Sequence, residues 1–201
     1  MRSAPERPDR TLRIIAGQWR GRKFRFPPID IRPTPDRVRE TLFNWLQSRI
    51  EGARCLDLFA GSGALGLEAL SRGAAEVTFI EQERAATKAI EKLLIEWQAS
   101  GGHVLCADAQ GFLAAKSPAR PFDVVFLDPP YGSSALAACA RQLDAGWLAP
   151  GARIYVERAR RAALPVLPAA WQELRSGRAG EVGYHLFGAG GATPAGSETR
   201  T

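Results

Sequence analysis

The sequence predicts an α/β protein with a mostly parallel sheet, an antiparallel hairpin at its C-terminal end and a separate β-hairpin arm at its N-terminus. Three observations lead there. From residue 54 onward short apolar runs alternate with amphipathic helical stretches, the first run passes into its helix through a glycine-rich turn, and the last two runs follow each other with no helix between.

Residues 11–28 alternate apolar and basic stretches around Gly17 and Gly21, which reads as a hairpin with a basic face. Thr34 is a plausible N-cap with Pro35 at the first helical position, and Val38, Leu42, Phe43, Leu46 and Ile50 recur at helical spacing, so a helix is expected over 35–48. Strands follow at 55–58, 77–80 and 104–106, with helices at 64–72 and 83–98 between them. The apolar strand at 122–127, a helix at 135–146 and a strand at 153–157 complete the parallel part. The runs at 171–175 and 182–187, joined by 177–180, should pair as an edge hairpin. Apolar strands of this kind imply helices on both faces and ligands beyond the strands' carboxyl ends, where Asp57, Glu81, Asp108 and Asp128 all fall.

A chain of 201 residues with 45% hydrophobic and 24% charged residues is one domain in size and needs no disulfide or metal to fold. The expected division is disorder at 1–9, the basic arm and leading helix at 10–50, the main domain at 51–188, and a disordered tail at 189–201. No run approaches the roughly 20 apolar residues of a membrane helix and the start lacks a signal-peptide core, so a cytoplasmic protein is expected. Cys55, Cys106 and Cys139 are read as reduced core residues, and with His103 and His185 they show no metal-ligand spacing.

Charge is uneven. Residues 1–50 hold 12 Lys or Arg against 5 Asp or Glu, whereas 51–201 hold 15 against 16. The basic block over 10–25 has no acidic residue and suits a polyanion, most commonly nucleic acid. Arg13, Arg20, Arg22, Lys23 and Arg25 are the candidate nucleic-acid contacts, each neutralised phosphate adding about −0.7 to −0.9 to the salt-dependence slope.

Gly61, Gly63 and Gly66 form a G-x-G-x-x-G turn between strand and helix, with Asp57 at its head and Glu81 about 20 residues on. NAD enzymes share this spacing. Asp57 and the basic segment before it favour S-adenosylmethionine, whose ammonium and sulfonium suit a carboxylate. Asp128-Pro129-Pro130-Tyr131, directly after a strand, is the sharpest motif. The Asp128 carboxylate and the Pro129 carbonyl can accept both N–H bonds of a nucleobase amine, Pro130 helps fix the backbone, and Tyr131 offers a stacking surface. These four are the candidate catalytic residues.

Asp57 to Gly63 and Asp128 to Tyr131 resemble the motifs of S-adenosylmethionine-dependent amino-methyltransferases. The runs RIIAGQWRGRK at 13–23, RPTPDRVRETLFNWL at 32–46, GSGALGLEALSR at 61–72, GWL at 146–148 and IYVE at 154–157 resemble, more narrowly, the bacterial 16S ribosomal RNA guanine-N2 methyltransferases. That resemblance implies a Rossmann-like class I methyltransferase with a seven-stranded sheet, methylating the N2 amine of a guanine in 16S rRNA of an assembling small ribosomal subunit. It implies that Gly61 and Gly63 line the cofactor, Glu81 holds its ribose, Asp108 its adenine amine, and the segment at 32–40, through Thr34 and Arg37, its methionine end. It further implies direct transfer without a metal. On the residues alone the target amine could equally belong to adenine or cytosine in DNA. An NAD-dependent dehydrogenase would use the same glycines but leave Asp128 to Tyr131 without a role, and a non-catalytic RNA-binding module would keep only the arm.

Overall fold

The computed structural model describes residues 10–27, 34–115 and 117–190. Of the tails expected to be disordered at 1–9 and 189–201, residues 1–9 and 191–201 lie outside the described residues, as do Arg32 and Pro33 of the segment at 32–40.

The arm is a two-stranded sheet, β1 (Arg10–Arg13) and β2 (Lys23–Phe26), paired antiparallel with Arg10 opposite Phe26 and Arg13 opposite Lys23. Alternation along β2 buries Phe24 and Phe26 and leaves Lys23 and Arg25 exposed. Helix α1 (Asp36–Trp45) follows and is shorter than expected. Pro35, not Thr34, occupies its N-cap, because the Thr34 hydroxyl is drawn away to Glu157 at 3.0 Å.

The main sheet alternates β3 (Arg54–Asp57), α2 (Ala64–Ser71), β4 (Glu76–Glu81), α3 (Arg84–Glu96), β5 (Gly102–Cys106), α4 (Ala109–Ala114), β6 (Phe122–Leu127), α5 (Ala135–Asp144) and β7 (Leu148–Ala159), then β8 (Trp171–Ala179) and β9 (Val182–Ala189). Its seven strands lie in the order β5-β4-β3-β6-β7-β9-β8. The five on the β5 to β7 side are parallel, while β9 runs antiparallel to β7 and to β8, with β8 at the edge. The period of two is visible in the core. Cys55, Val124, Phe126 and Tyr155 face α1, α2, α3 and the arm, and Leu56, Val125, Leu127, Ile154 and Val156 face α4 and α5.

Four further details depart from the sequence expectations. Helix α4 was not anticipated, since six residues give too little periodicity to detect. The C-terminal hairpin strands extend into the expected turn at 177–180, because the chain reverses within two residues at Gly180, whose φ is +57°, and Glu181. Strand β9 runs through Ala189, which pairs with Trp171, one residue past the expected boundary of the domain. Cys106 is exposed rather than in the core, because β5 is an edge strand. His185 also gains partners. Arg158 Nε, always a donor, lies 3.1 Å from Nε2, so Nδ1 carries the proton toward Glu173 Oε1 at 3.0 Å.

The arm is locked to the domain by a charge in the interior. Glu68 on α2 accepts the backbone N–H groups of Ile15 at 2.8 Å and Ala16 at 3.0 Å, and its Oε1 also accepts from Arg72 at 2.7 Å. Arg39 of α1, fully buried, sits 3.7 Å from Glu68 and donates to Asp36 and to the Arg13 carbonyl. Ser71, the last residue of α2 and less than a turn beyond Glu68, accepts from the backbone of Gln18 and Trp19 and donates to the Ala16 carbonyl. Removing one partner leaves a buried charge uncompensated. Glu68→Ala should therefore lower unfolding stability by about 3–5 kcal/mol in a urea titration, while the double change Arg39→Met with Glu68→Leu loses less. A Glu68→Ala loss under 1 kcal/mol would show that the pair does not anchor the arm.

Candidate active site

Strand β3 lies between β4 and β6, so the connections on its two sides leave in opposite directions and a crevice opens beyond its carboxyl end. A cavity of about 650 Å³ occupies that position. Its wall carries six carboxylates, those of Asp57, Glu81, Glu83, Asp108, Asp128 and Glu157, and no Lys or Arg among the described residues.

The glycine-rich turn is held from below by two of these acids. Glu81 accepts the Gly61 N–H at 2.8 Å with one oxygen and the Glu83 N–H at 2.8 Å with the other. Asp57 accepts the Gly66 N–H at 3.0 Å. Gly61 and Gly63 have φ of +54° and +75°, the left-handed region that favours glycine. At Gly66 the reason is space, because a Cβ would lie 2.1 Å from the Phe79 ring. Asp108 caps α4 by accepting the Gly111 N–H at 2.8 Å, which leaves its second oxygen for a ligand.

The opposite end of the cavity is built from the strand ends of β6 and β7. Asp128, Pro129, Pro130 and Tyr131 leave β6 along the cavity wall, with Tyr131 42% exposed. Facing them, Glu157 on β7 is buried and gathers three hydroxyls: Tyr155 at 2.9 Å, Thr34 at 3.0 Å and Tyr131 at 3.3 Å. Asp128 keeps partial exposure, yet burial in the packed protein around it, then the nearby Glu157 and Asp57 charges, push its carboxyl well above the usual range. Burial and, secondarily, Glu81 push Asp57 up to about 7 against the opposing Gly66 hydrogen bond. Burial beside Glu157 likewise raises the Tyr155 phenol.

This wall suits a cationic, hydroxyl-bearing ligand, whose charge would relieve carboxylates that now crowd one another. A dinucleotide pyrophosphate would bring two negative charges into a site that offers no side-chain cation among the described residues.

Residues 12–188 match the family described as Conserved hypothetical protein 95. Ribosomal RNA small subunit methyltransferase D of Escherichia coli (strain K12) is 50% identical over 178 residues, covering 88% of this chain and 89% of that protein. The chain belongs to the ribosomal RNA small subunit methyltransferase D family. The Haemophilus influenzae member is 42% identical over 182 residues, covering 88% of this chain and 93% of its own. Among solved structures, the putative methyltransferase yhhF from Escherichia coli superposes with a TM-score of 0.84 at 48% identity, covering 90% of this chain and 98% of that one. The Rossmann-like methyltransferase fold expected from the sequence is the fold found.

In this family member the fold brings Thr34, Asp57, Gly61, Glu81, Asp108, Asp128, Pro129, Pro130 and Tyr131 to one cavity. Gly63 shapes the turn from just behind the wall. Arg37 stands apart, exposed on the first turn of α1 and outside the lining. Of the arm residues, Arg13 pairs with Asp36 at 2.8 Å and Arg22 lies over the Trp97 ring at 5.5 Å, while Arg20, Lys23 and Arg25 are exposed. Sequence reasoning missed Glu157, whose signal was its place at the end of an apolar strand, like Asp57 and Glu81. It also missed Arg39, whose helical spacing from Val38 and Leu42 placed it at the buried face.

The raised Asp57 carboxyl has a testable sign. An acid whose folded value exceeds its unfolded one stabilises the fold at low pH, and that contribution is lost as pH rises from about 4 to about 7. Asp57→Asn should therefore gain stability relative to the unaltered chain across that interval, measured by urea unfolding at several pH values without ligand. A difference that stays flat would remove the charge burden assigned to Asp57.

Proposed function

We propose that the chain transfers a methyl group from S-adenosylmethionine to the N2 exocyclic amine of a guanine in 16S rRNA, with the small ribosomal subunit as acceptor. The observation that carries this is the pairing in one cavity of an acidic, cation-accepting wall with Asp128 and Pro129 at the end of β6. Membership of a family whose relatives carry the name ribosomal RNA small subunit methyltransferase D supports the substrate class.

Bound there, S-adenosylmethionine supplies an electrophilic methyl group on a sulfonium. Glu81 and Asp108 offer acceptors to ribose hydroxyls and an adenine amine, and Asp57 with Thr34 lies toward the cationic methionine end. The Arg37 guanidinium could reach the carboxylate of that end only from outside the wall. Asp128 and the Pro129 carbonyl accept the two N–H bonds of the target amine, which localises the nitrogen lone pair for attack. Tyr131 stacks on the base, and its hydroxyl bond to Glu157 sets the plane of the ring. Once the new C–N bond forms, the surplus amine proton leaves to Asp128, whose raised affinity for protons suits that task, or to solvent. Arg13, Arg20, Lys23, Arg22 and Arg25 would give the arm a secondary, salt-sensitive hold on RNA.

The decisive test is transfer of labelled methyl to small subunits lacking the modification, to bare 16S RNA, to DNA and to protein, followed by nucleoside analysis. N2-methylguanosine from subunits is expected, and methyladenine or methylcytosine from DNA would overturn the substrate. Asp128→Ala should lower turnover by about 10² to 10³ while RNA binding persists, and loss of both together would contradict the assigned role. Because the Glu157 charge holds Asp128 up, and the reaction needs Asp128 ionised, Glu157→Gln should move the acid limb of kcat/KM to lower pH. An unmoved limb would uncouple the two carboxylates.

A further inference from the structure

Beyond residue 50 the sequence is nearly neutral, and that balance conceals a local cluster. Arg158, Arg160 and Arg161 follow directly after Glu157, and Arg175 and Arg178 lie on β8. Strand β7 is parallel to β6, so its end emerges on the same side of the sheet as Asp128 and Tyr131. Strand β9 begins where Val182 pairs with both Ala159 and Ala179, which sets the tip of the β8–β9 hairpin beside the exit from β7. The junction is braced. The Arg160 N–H donates to the Glu181 carbonyl at 2.7 Å, and the Arg158 guanidinium donates to the carbonyls of Ala159, Arg160 and Ala162. The side chains of Arg161 and Arg178 are exposed, and their guanidinium groups make no hydrogen bond or ion pair among the described residues, so no ion pair takes up their charge.

The N-terminal arm is placed differently. Its turn is bonded to Ser71, at the far end of α2 from the glycine turn, about 12 Å away for an eight-residue helix. Two of its arginines are already engaged, with Asp36 and over Trp97. Meanwhile a base entering the cavity carries its own flanking phosphates past the rim, toward a wall of six carboxylates that repels them. A cationic rim is the physical remedy, and arginine's planar fork matches a phosphate.

We propose that Arg161 and Arg178, on the braced junction of β7 with the β8–β9 hairpin, bind the RNA phosphates flanking the target nucleotide. This rests on the reading of the cavity as an RNA methyltransferase site, and it places the principal RNA grip on the C-terminal hairpin.

The test compares Arg161→Ala with Arg178→Ala in one chain, the charge-keeping pair Arg161→Lys with Arg178→Lys, and a control losing the same charge on exposed α3 positions, Lys88→Ala with Lys92→Ala. The rim Ala pair should raise KM for small subunits roughly tenfold and reduce the log K against log salt slope for 16S RNA binding by about 1.5, two phosphate contacts' worth. Turnover at saturation and S-adenosylmethionine affinity should stay within about twofold, the Lys pair should recover most of the loss, and the α3 control should resemble the unaltered chain. An unchanged KM and slope in the rim Ala pair, or an equal loss in the α3 control, would overturn the proposal. Absence of methyl transfer by the unaltered chain would instead overturn the reading of the cavity, and the salt slope for RNA binding would still decide the rim.

Discussion

The geometry of the cavity depends on how the glycine turn satisfies its backbone. A tight turn between β3 and α2 leaves N–H groups without helical partners, and in a buried position each needs an acceptor. Asp57 and Glu81, from the carboxyl ends of two adjacent strands, provide them at Gly66 and Gly61, and the second Glu81 oxygen serves the Glu83 N–H at the entry to α3. The same carboxylates that face the ligand therefore hold the floor it rests on. Burial, and secondarily the neighbouring Glu81 charge, push the Asp57 carboxyl up to about 7. A cationic ligand placed against these carboxylates would oppose that shift.

Much of this was legible in residue order. Apolar runs ending in an acid announced the strands and, through the parallel arrangement, which end of them mattered. Asp128 stood out because two prolines cannot continue a sheet ladder, so the chain after β6 had to do something else. Glu157 did not stand out, because its meaning is tertiary: its partner Thr34 is 123 residues away, and only the closed sheet brings them together. Cys106 was misplaced for a related reason, since whether a strand is central or at an edge depends on the strand order and not on the strand's own composition. The hairpin tip was blurred by glycines that look like a long turn, while the pairing of Ala179 with Val182 needs only two residues to reverse.

Charge teaches the same lesson at two scales. The surplus in the first 50 residues is visible to simple counting, but the structure spends part of it internally, on Asp36, Glu68 and the Trp97 ring. The arginines after Glu157 vanish in the count because acids elsewhere in the domain cancel them, yet six of those acids sit on the cavity wall and others, such as Glu68, Glu76 and Glu173, are engaged in contacts of their own. A sum over sequence and a sum over a surface are different quantities, and only the second one steers a polyanion.

The attachment of the arm also bears on the order in which the chain can assemble. Strand β1 is translated before α2: the carboxylate that accepts the Ile15 N–H lies 53 residues later, and the Ser71 hydroxyl that accepts the Trp19 N–H lies 52 residues later. Until α2 has been synthesised the arm has no native partner for its turn, and until α3 follows there is no Trp97 for Trp19 and Phe24 to pack against. The N-terminal segment is thus an early product and a late joiner, and closing that long loop is a step whose entropy the Glu68 and Ser71 contacts must offset together.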